Sequence, residues 1–243
     1  MKKKLSLGRK IYLFVGITVF VAGIVVAILS YFINASRING YFSELSVDSA
    51  RYIASLADAK ALLELKKVVQ SEEYQSLREV AEEEDNEQLV EDFFKEHGVW
   101  EIYSCTREII VQYLHKMKDV EYVYFIVWGG PDEQYDMYLV DDDTTPMYET
   151  GYYELREKEL AGIDATKEIA PTISHGDWGW LCSSYSPVYT DDGILVCQVG
   201  CDVAMDDILL VEEATQTVYS RLEKFTGWKF LQSQRCLKKA VAF

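Results

Sequence analysis

An uncharged run of 23 residues, Ile11 to Ile33 (IYLFVGITVFVAGIVVAILSYFI), constrains this chain more than any other feature. Coiled as a helix at about 1.5 Å per residue, it spans the roughly 30 Å of a bilayer's hydrocarbon. A secretory signal has an apolar region of only about 7–15 residues, closed by a small-x-small cleavage site. This run is longer, and Ile33-Asn34-Ala35 makes a poor site. A pilin-like leader would need a cleavage site and a Glu just inside the apolar run, and neither is present. A buried helix of a soluble core rarely stays uncharged for so long. Residues 11–33 therefore read as a transmembrane helix, with Tyr12, Tyr31 and Phe32 near its ends, where aromatic rings favour the interface.

Charge then assigns the sides. Residues 1–10 hold Lys2, Lys3, Lys4, Arg9 and Lys10 and no acid, whereas the whole chain has 24 basic against 40 acidic residues, a net charge of -16. The positive-inside bias places residues 1–10 in the cytoplasm and the acidic body outside. The expectation is a single-pass protein of the plasma (inner) membrane with an extracytoplasmic body. An acidic body also argues against nucleic acid as a partner, since binding phosphate needs a basic footprint. With 49% hydrophobic residues in 243, the chain can bury one sizeable core.

Residues 34 to about 70 contain no proline and are rich in Ala, Leu, Glu and Lys, which predicts one long stalk helix. Phe42, Leu45, Ser49, Tyr52, Leu56, Ala59 and Leu63 recur at steps of three and four. Two readings fit this stripe: a homodimer seam, or one face packed on the chain's own domain. Ser71 to Gly98 suits two short helices around an acidic turn at Glu82 to Asp85. That turn lacks the spaced acids of a calcium loop. Trp100 to Met117 is again helical in period. The period changes to two at Glu121 to Trp128, and Tyr135 to Val140 supplies a hairpin partner across the turn Gly129-Gly130-Pro131-Asp132. Asp141 to Pro171 reads as a long crossing segment with a helix at Tyr153 to Leu160. Trp178 to Tyr189 and Ile194 to Val203 form a second hairpin, and Asp206 to Phe225 a closing helix. The fold class is α+β: a transmembrane helix, a stalk helix, then an antiparallel sheet flanked by helices.

The pieces VEYVYFIVW, YDMYLVDDD with YETGYYE, PTISHGDWGWLCSSYSPVYTDDG and LVCQVGCDVAMDDI stand in sequence between about Gly98 and Ile208. Together with an N-terminal anchor and a long leading helix, they resemble the Cache class of bacterial extracytoplasmic sensor domains. The resemblance implies a PAS-like central antiparallel sheet within a sensor domain spanning residues 34–225, with its sheet core at about 98–208. It implies a small-molecule ligand, of the amino-acid or carboxylate class, and no enzymatic activity or cofactor. It also implies signalling to a cytoplasmic output such as a diguanylate cyclase, a histidine kinase or a chemoreceptor module. Residues 226–243 form a basic tail too polar to cross a bilayer, where a receptor of this type would carry a second membrane helix. That departure reads as the non-native end of a truncated receptor. The competing reading is an anchored module that binds an extracellular protein or polymer without signalling.

In such a pocket the ligand lies on one sheet face beneath the crossing segment. The candidate contacts are Tyr124, Tyr138, Trp178, Trp180, Ser184 and Tyr185 on strands, with Tyr152 and Arg156 as a lid. Arg156 is the cation suited to a carboxylate. Asp202, in the VG-x-D stretch, either meets an amine or caps the next helix. By strand alternation Trp178 and Trp180 share one face and Tyr185 the other. Core packing or a surface ion pair competes with each of these roles. Cys105, Cys182, Cys197, Cys201 and Cys236 read first as buried thiols. A hairpin turning with Thr190 opposite Gly193 instead puts Cys182 opposite Cys201 for a disulfide, whereas a three-residue loop removes that opposition. Cys197, Cys201 and His175 lack zinc spacing, so a metal is the remote third reading. His97, His115 and His175 have no nucleophile motif beside them, and there is no phosphate-binding glycine loop.

Overall fold

The computed structural model describes residues 7–129, 134–156, 160–176 and 178–205. The closing helix 206–225, the tail 226–243 with Cys236, residues 1–6 of the tip and the turn residues Gly130 to Asp132 lie outside the described residues. Helix α1 runs Leu7–Leu56 and, among the described residues, has the length and apolar composition to cross a membrane. The chain divides after Tyr41 into two packing units, and the sensor-like body begins at Phe42.

The leading helix does not continue to residue 70. It ends at Leu56, and α2 (Ala59–Val69) restarts two residues later. The cause is Asp58, whose carboxylate accepts the backbone N–H groups of Lys60 and Ala61 at 3.1 Å each. Such an N-cap satisfies donors that a fresh helix would otherwise leave open. The break lets Leu62, Leu65 and Val69 turn into the core, where all three are fully buried. The heptad stripe divides accordingly. Phe42, Leu45 and Ser49 face the chain's own domain, while Tyr52 and Leu56 remain exposed. Ser71 and Asn86 cap α3 (Glu72–Glu83) and α4 (Glu87–Glu96), and the acidic turn lies between them as expected. Helix α5 spans Trp100–Lys116.

Six strands follow: β1 (Val120–Trp128), β2 (Tyr135–Val140), β3 (Tyr153–Leu155), β4 (Ile169–Gly176), β5 (Gly179–Tyr189) and β6 (Leu195–Ala204). They form one antiparallel sheet in the order β3-β2-β1-β6-β5-β4. The α+β class and the PAS-like sheet flanked by helices are therefore as expected. Two strands were not anticipated. Tyr153 to Leu155, expected as a helix, pairs with β2, because Glu154 and Tyr153 sit opposite Asp136 and Met137. Ile169 to Gly176 pairs with β5, so the crossing segment ends in an edge strand.

Alternation gives the sheet two faces. Val123, Phe125, Val127, Met137, Leu139, Val199, Cys201 and Val203 pack with α1–α5 in the main core. Tyr124, Ile126 and Tyr185 belong to a second, smaller cluster with Leu160 and Ile169 on the opposite face. The segment after β2 is fastened to the helices. Arg107 donates to Asp142 O at 3.0 Å and to Thr145 O at 2.7 Å. Met147 N donates to Glu87 at 2.9 Å, and Tyr74 Oη donates to Thr150 O at 2.9 Å.

Gly151 closes this fastening with φ +82°, and a Cβ there would lie 2.8–2.9 Å from Gln75, Tyr74 and Val69. The positive φ alone costs an L-residue about 1–2 kcal/mol, and the contact with packed side chains adds to it. Gly151→Ala should therefore lower the urea-unfolding free energy of the chain by at least about 2 kcal/mol. A change within about 0.5 kcal/mol would show that the segment is not clamped.

Candidate functional site

The face turned away from the helices carries a cavity of about 390 Å³. That size suits a small organic ligand. The period-two rule sends Tyr122, Tyr124, Ile126 and Trp128 of β1 into it, together with Asp136 and Tyr138 of β2. Leu181, Ser183 and Tyr185 come from β5, Asp202 from β6, and Tyr152, Glu154 and Arg156 from the return through β3.

The floor is built on Gly200. Tyr124 and Tyr185 are both paired with it, one on each neighbouring strand. Because Gly200 has no side chain, the Tyr124 ring lies over it, and the two hydroxyls meet at 3.1 Å. The Tyr138 ring stands edge-on to Tyr124 at 5.5 Å, and Trp128 edge-on to Tyr185 at 5.4 Å. Tyr122 and Trp178 add an edge contact at 5.8 Å. Edge-to-face pairs add about 0.5–1.5 kcal/mol beyond the area they bury, so this floor is stiff.

Acidic groups ring the floor. Tyr138 Oη donates to Glu154 at 2.8 Å. Burial, reinforced by Glu154, holds the Tyr138 phenol protonated well above its usual range. Burial, reinforced by Asp202, does the same for Tyr124. Asp141 accepts the backbone N–H of Asp142 at 2.8 Å, but burial outweighs that bond and pushes its carboxyl up to about 6. Burial also raises Glu149, with Glu82 adding to the shift.

Of the residues singled out from sequence, Tyr124, Tyr138, Tyr152, Arg156, Trp178, Tyr185 and Asp202 line this cavity together. Arg156 differs from its expected role. Its guanidinium is forked onto Asp136, with Nε 2.8 Å from Oδ2 and Nη2 on Oδ1, and lies 4.5 Å over the Trp128 ring. Trp180 and Ser184 stand on the other face. Trp180 packs against the helix-side core with the His175 ring tilted against it at 4.7 Å, and Ser184 is buried opposite Cys201. The expected pairing of faces fails because Gly179, at φ +88°, turns the chain between Trp178 and Trp180, so alternation does not link them. Tyr122, Trp128, Asp136, Glu149 and Glu154 were not singled out. The same alternation through Tyr124 and Tyr138 carried the signal for the first three.

Cys182 and Cys201 are free thiols, not a disulfide. Cys182 pairs with Val203 and Cys201 with Ser184. The hairpin loop is longer than the tight turn that opposition required, with Thr190 N donating to Ile194 O, and a register shift follows at Val188/Tyr189. Burial raises both thiols and pushes Cys197 up to about 12, which leaves them unreactive. No cluster with metal-ligand geometry exists among the described residues.

Two variants test the site. In the unfolded chain an Asp titrates near 3.9, so the folded state binds the extra proton between about pH 4 and 6 and loses stability as pH rises through that window. Asp141→Asn removes this penalty and keeps the acceptor for Asp142 N. It should melt about 2–4 °C above the parent chain at pH 7.5 and level with it at pH 4. Gly200→Ala puts a Cβ 2.3 Å from the Tyr124 ring and must expel it. The denaturant midpoint should fall by the equivalent of about 1–3 kcal/mol; an unchanged midpoint would mean that the ring does not rest on Gly200.

No family description matches this sequence, and none of the curated proteins does. Among solved structures, the chain is similar to the ligand-binding domain of the Campylobacter jejuni chemoreceptor Tlp3 in complex with L-valine. The match has 17% identity and a TM-score of 0.27, over 73% of this chain and 61% of that one. The same domain with 4-methylisoleucine matches at 11% identity and a TM-score of 0.26, over 72% and 61%. This chain thus spans about 61% of the length of those structures. Superposition at that level is too loose to carry over a ligand or a site. The architecture itself, a long leading helix before a six-stranded antiparallel sheet, is that expected of the Cache-type sensor domains the sequence resembles.

Proposed function

We propose that this chain is a membrane-anchored, extracytoplasmic small-molecule sensor domain of a bacterial signal-transduction receptor. The observation that carries the reading is the cavity: an aromatic floor on the sheet face opposite the helices, with Asp202 and Asp136 buried in its walls. Rigid aromatic walls with a few fixed polar groups are how small ligands are held. The residues we assign to the ligand are Tyr124, Tyr138, Tyr152, Trp178, Tyr185 and Asp202, with Arg156 holding the Asp136 corner.

In this reading the apolar part of α1 is the anchor, its basic tip is cytoplasmic, and the acidic body faces outward. Because α1 continues from that run into the body, it is the mechanical link to a cytoplasmic output, a diguanylate cyclase module among the kinds the resemblance implies. Its exposed Tyr52 and Leu56 are the face for a second copy. Since the segment from Asp142 to Gly151 is fastened to α3–α5, the ligand acts by shifting the balance between two seatings of α1, not by closing that segment as a flap. The domain binds and releases its ligand unchanged and is not an enzyme.

The test is a thermal-shift screen of the full chain in non-ionic detergent against small amines, amino acids and carboxylates. A small molecule should raise the melting temperature in the parent chain, and Asp202→Asn with Tyr124→Ala should abolish the shift. Stabilisation that survives both substitutions would sink this site, and capture of a protein partner with no small-molecule response would favour the interaction module.

A further inference from the structure

The cavity is long as well as aromatic. Tyr122, Tyr124, Ile126 and Trp128 are successive residues on one face of β1, and all four line it. Tyr122 and Trp128 stand six residues apart, which at about 3.3 Å per residue makes a floor about 20 Å long. One residue of an extended peptide covers only about 3.3–3.6 Å. A single amino acid therefore fills a small part of that length, and a volume of about 390 Å³ suits a larger ligand.

Aromatic rings mark the floor from end to end. Trp178 joins Tyr122 at one end, and Trp128 closes the other, with the Arg156 guanidinium 4.5 Å over its ring. Trp178 is 70% exposed and Tyr152 39%, although both line the cavity. Arg78 lies 5.6 Å from the centroid of the Tyr152 ring and steadies it. An indole left so open beside a cavity is a surface for contact.

Among the rings the lining offers carboxylate and hydroxyl oxygens. Glu154 accepts the Tyr138 hydroxyl on Oε2 at 2.8 Å, and a carboxylate has about four acceptor sites. Ser183 and Thr145 bring hydroxyls, which both donate and accept. The floor strands β1, β2, β5 and β6 pair with one another through their backbones. An extended peptide laid along this floor meets a sheet face, not the open edge to which a strand is added.

Resting on the pocket assignment above, we propose that the cavity takes a short neutral oligosaccharide, of two or three linked sugar rings, laid along β1. A pyranose ring has an apolar face of C–H groups and a rim of hydroxyls. The C–H face meets the electron-rich faces of Trp178 and Tyr152. The rim hydroxyls donate to Glu154 and exchange hydrogen bonds with Ser183 and Thr145. Such a ligand brings many donors and no charge, so it needs no counterion in a lining where Arg156 is forked onto Asp136.

Isothermal titration calorimetry on the full chain tests this, in a polyoxyethylene detergent so that no sugar headgroup competes. The probes are cellotriose, maltotriose and triacetylchitotriose, with glucose, alanine and succinate for comparison. At least one trisaccharide should bind at least about tenfold tighter than the three small probes. Its affinity should change by less than about twofold between about 0.05 and 0.5 M salt, since it carries no charge to screen. Trp178→Ala should weaken it at least about tenfold, and Trp178→Phe about threefold or less. Glu154→Ala should weaken it about tenfold. Trp178 and Glu154 are exposed, so neither change opens the core. Ile194→Ala, which trims another exposed apolar side chain, should leave the affinity unchanged.

Failure of all three trisaccharides to bind overturns the proposal. So does equal weakening by Ile194→Ala, or binding that ignores both Trp178→Ala and Glu154→Ala. Tighter binding of alanine or succinate, lost in a folded Tyr124→Ala or Asp202→Asn variant, would overturn the sugar assignment and leave the sensor pocket standing. The same binding retained in both variants would remove the pocket itself.

Discussion

Everything in the body depends on the two-sidedness of its central strands. Along β1 and β6 successive residues alternate between a face that must be dry and a face that is left open. Val123, Phe125, Val127, Val199, Cys201 and Val203 go to the helices. Tyr122, Tyr124, Ile126, Trp128 and Asp202 go to the cavity. A slip of one residue in either strand would exchange the two sets, placing tyrosines and an aspartate against the helices. The register at Tyr124 opposite Gly200 is therefore both a folding constraint and the condition for a pocket. The helix-side burial holds the sheet rigid, and a rigid sheet is what allows rings and carboxylates on the far face to keep fixed positions.

That division of labour also explains where polar groups are tolerated. On the helix side, Ser46 donates to Cys201 O at 3.0 Å, and Tyr113 donates to Ser49 at 2.7 Å, so the seat of α1 on the sheet is small and hydrogen-bonded as well as greasy. On the open side, Arg156 answers Asp136 and the Tyr138 hydroxyl answers Glu154.

Much of the fold could be read from the chain before any coordinates. The apolar run, the two short helices around the acidic turn, α5 and the strands β1, β2, β5 and β6 follow from local period and turn chemistry. Three elements did not. The helix break at Asp58 was hidden because an Asp between alanines has ordinary helical neighbours, and its capping role appears only when the chain turns. Strand β3 is three residues long, and β4 contains a proline and a histidine, so neither carries a pattern of its own; both exist because β2 and β5 offer open edges. The site was half legible for the same reason. Tyr124, Tyr138 and Tyr185 announce themselves as aromatics on strands. Asp141 sits in irregular backbone and Glu149 ends a single 3-10 turn, Met147–Glu149, too short for a period to say which way a side chain faces.

By itself, then, the sequence determined the apolar span, the signs of charge on either side of it, the class of the fold and the aromatic identity of the site, since each depends on local composition or on a period of two or 3.6. Tertiary structure alone decided which rings share a face, that Trp180 and Ser184 turn away, that Arg156 answers Asp136, and that the cysteines stay apart. Each of those outcomes turns on a register, a positive φ or a loop length. Pairing partners distant in the chain set such quantities, because one residue's difference in a strand reverses every direction that follows.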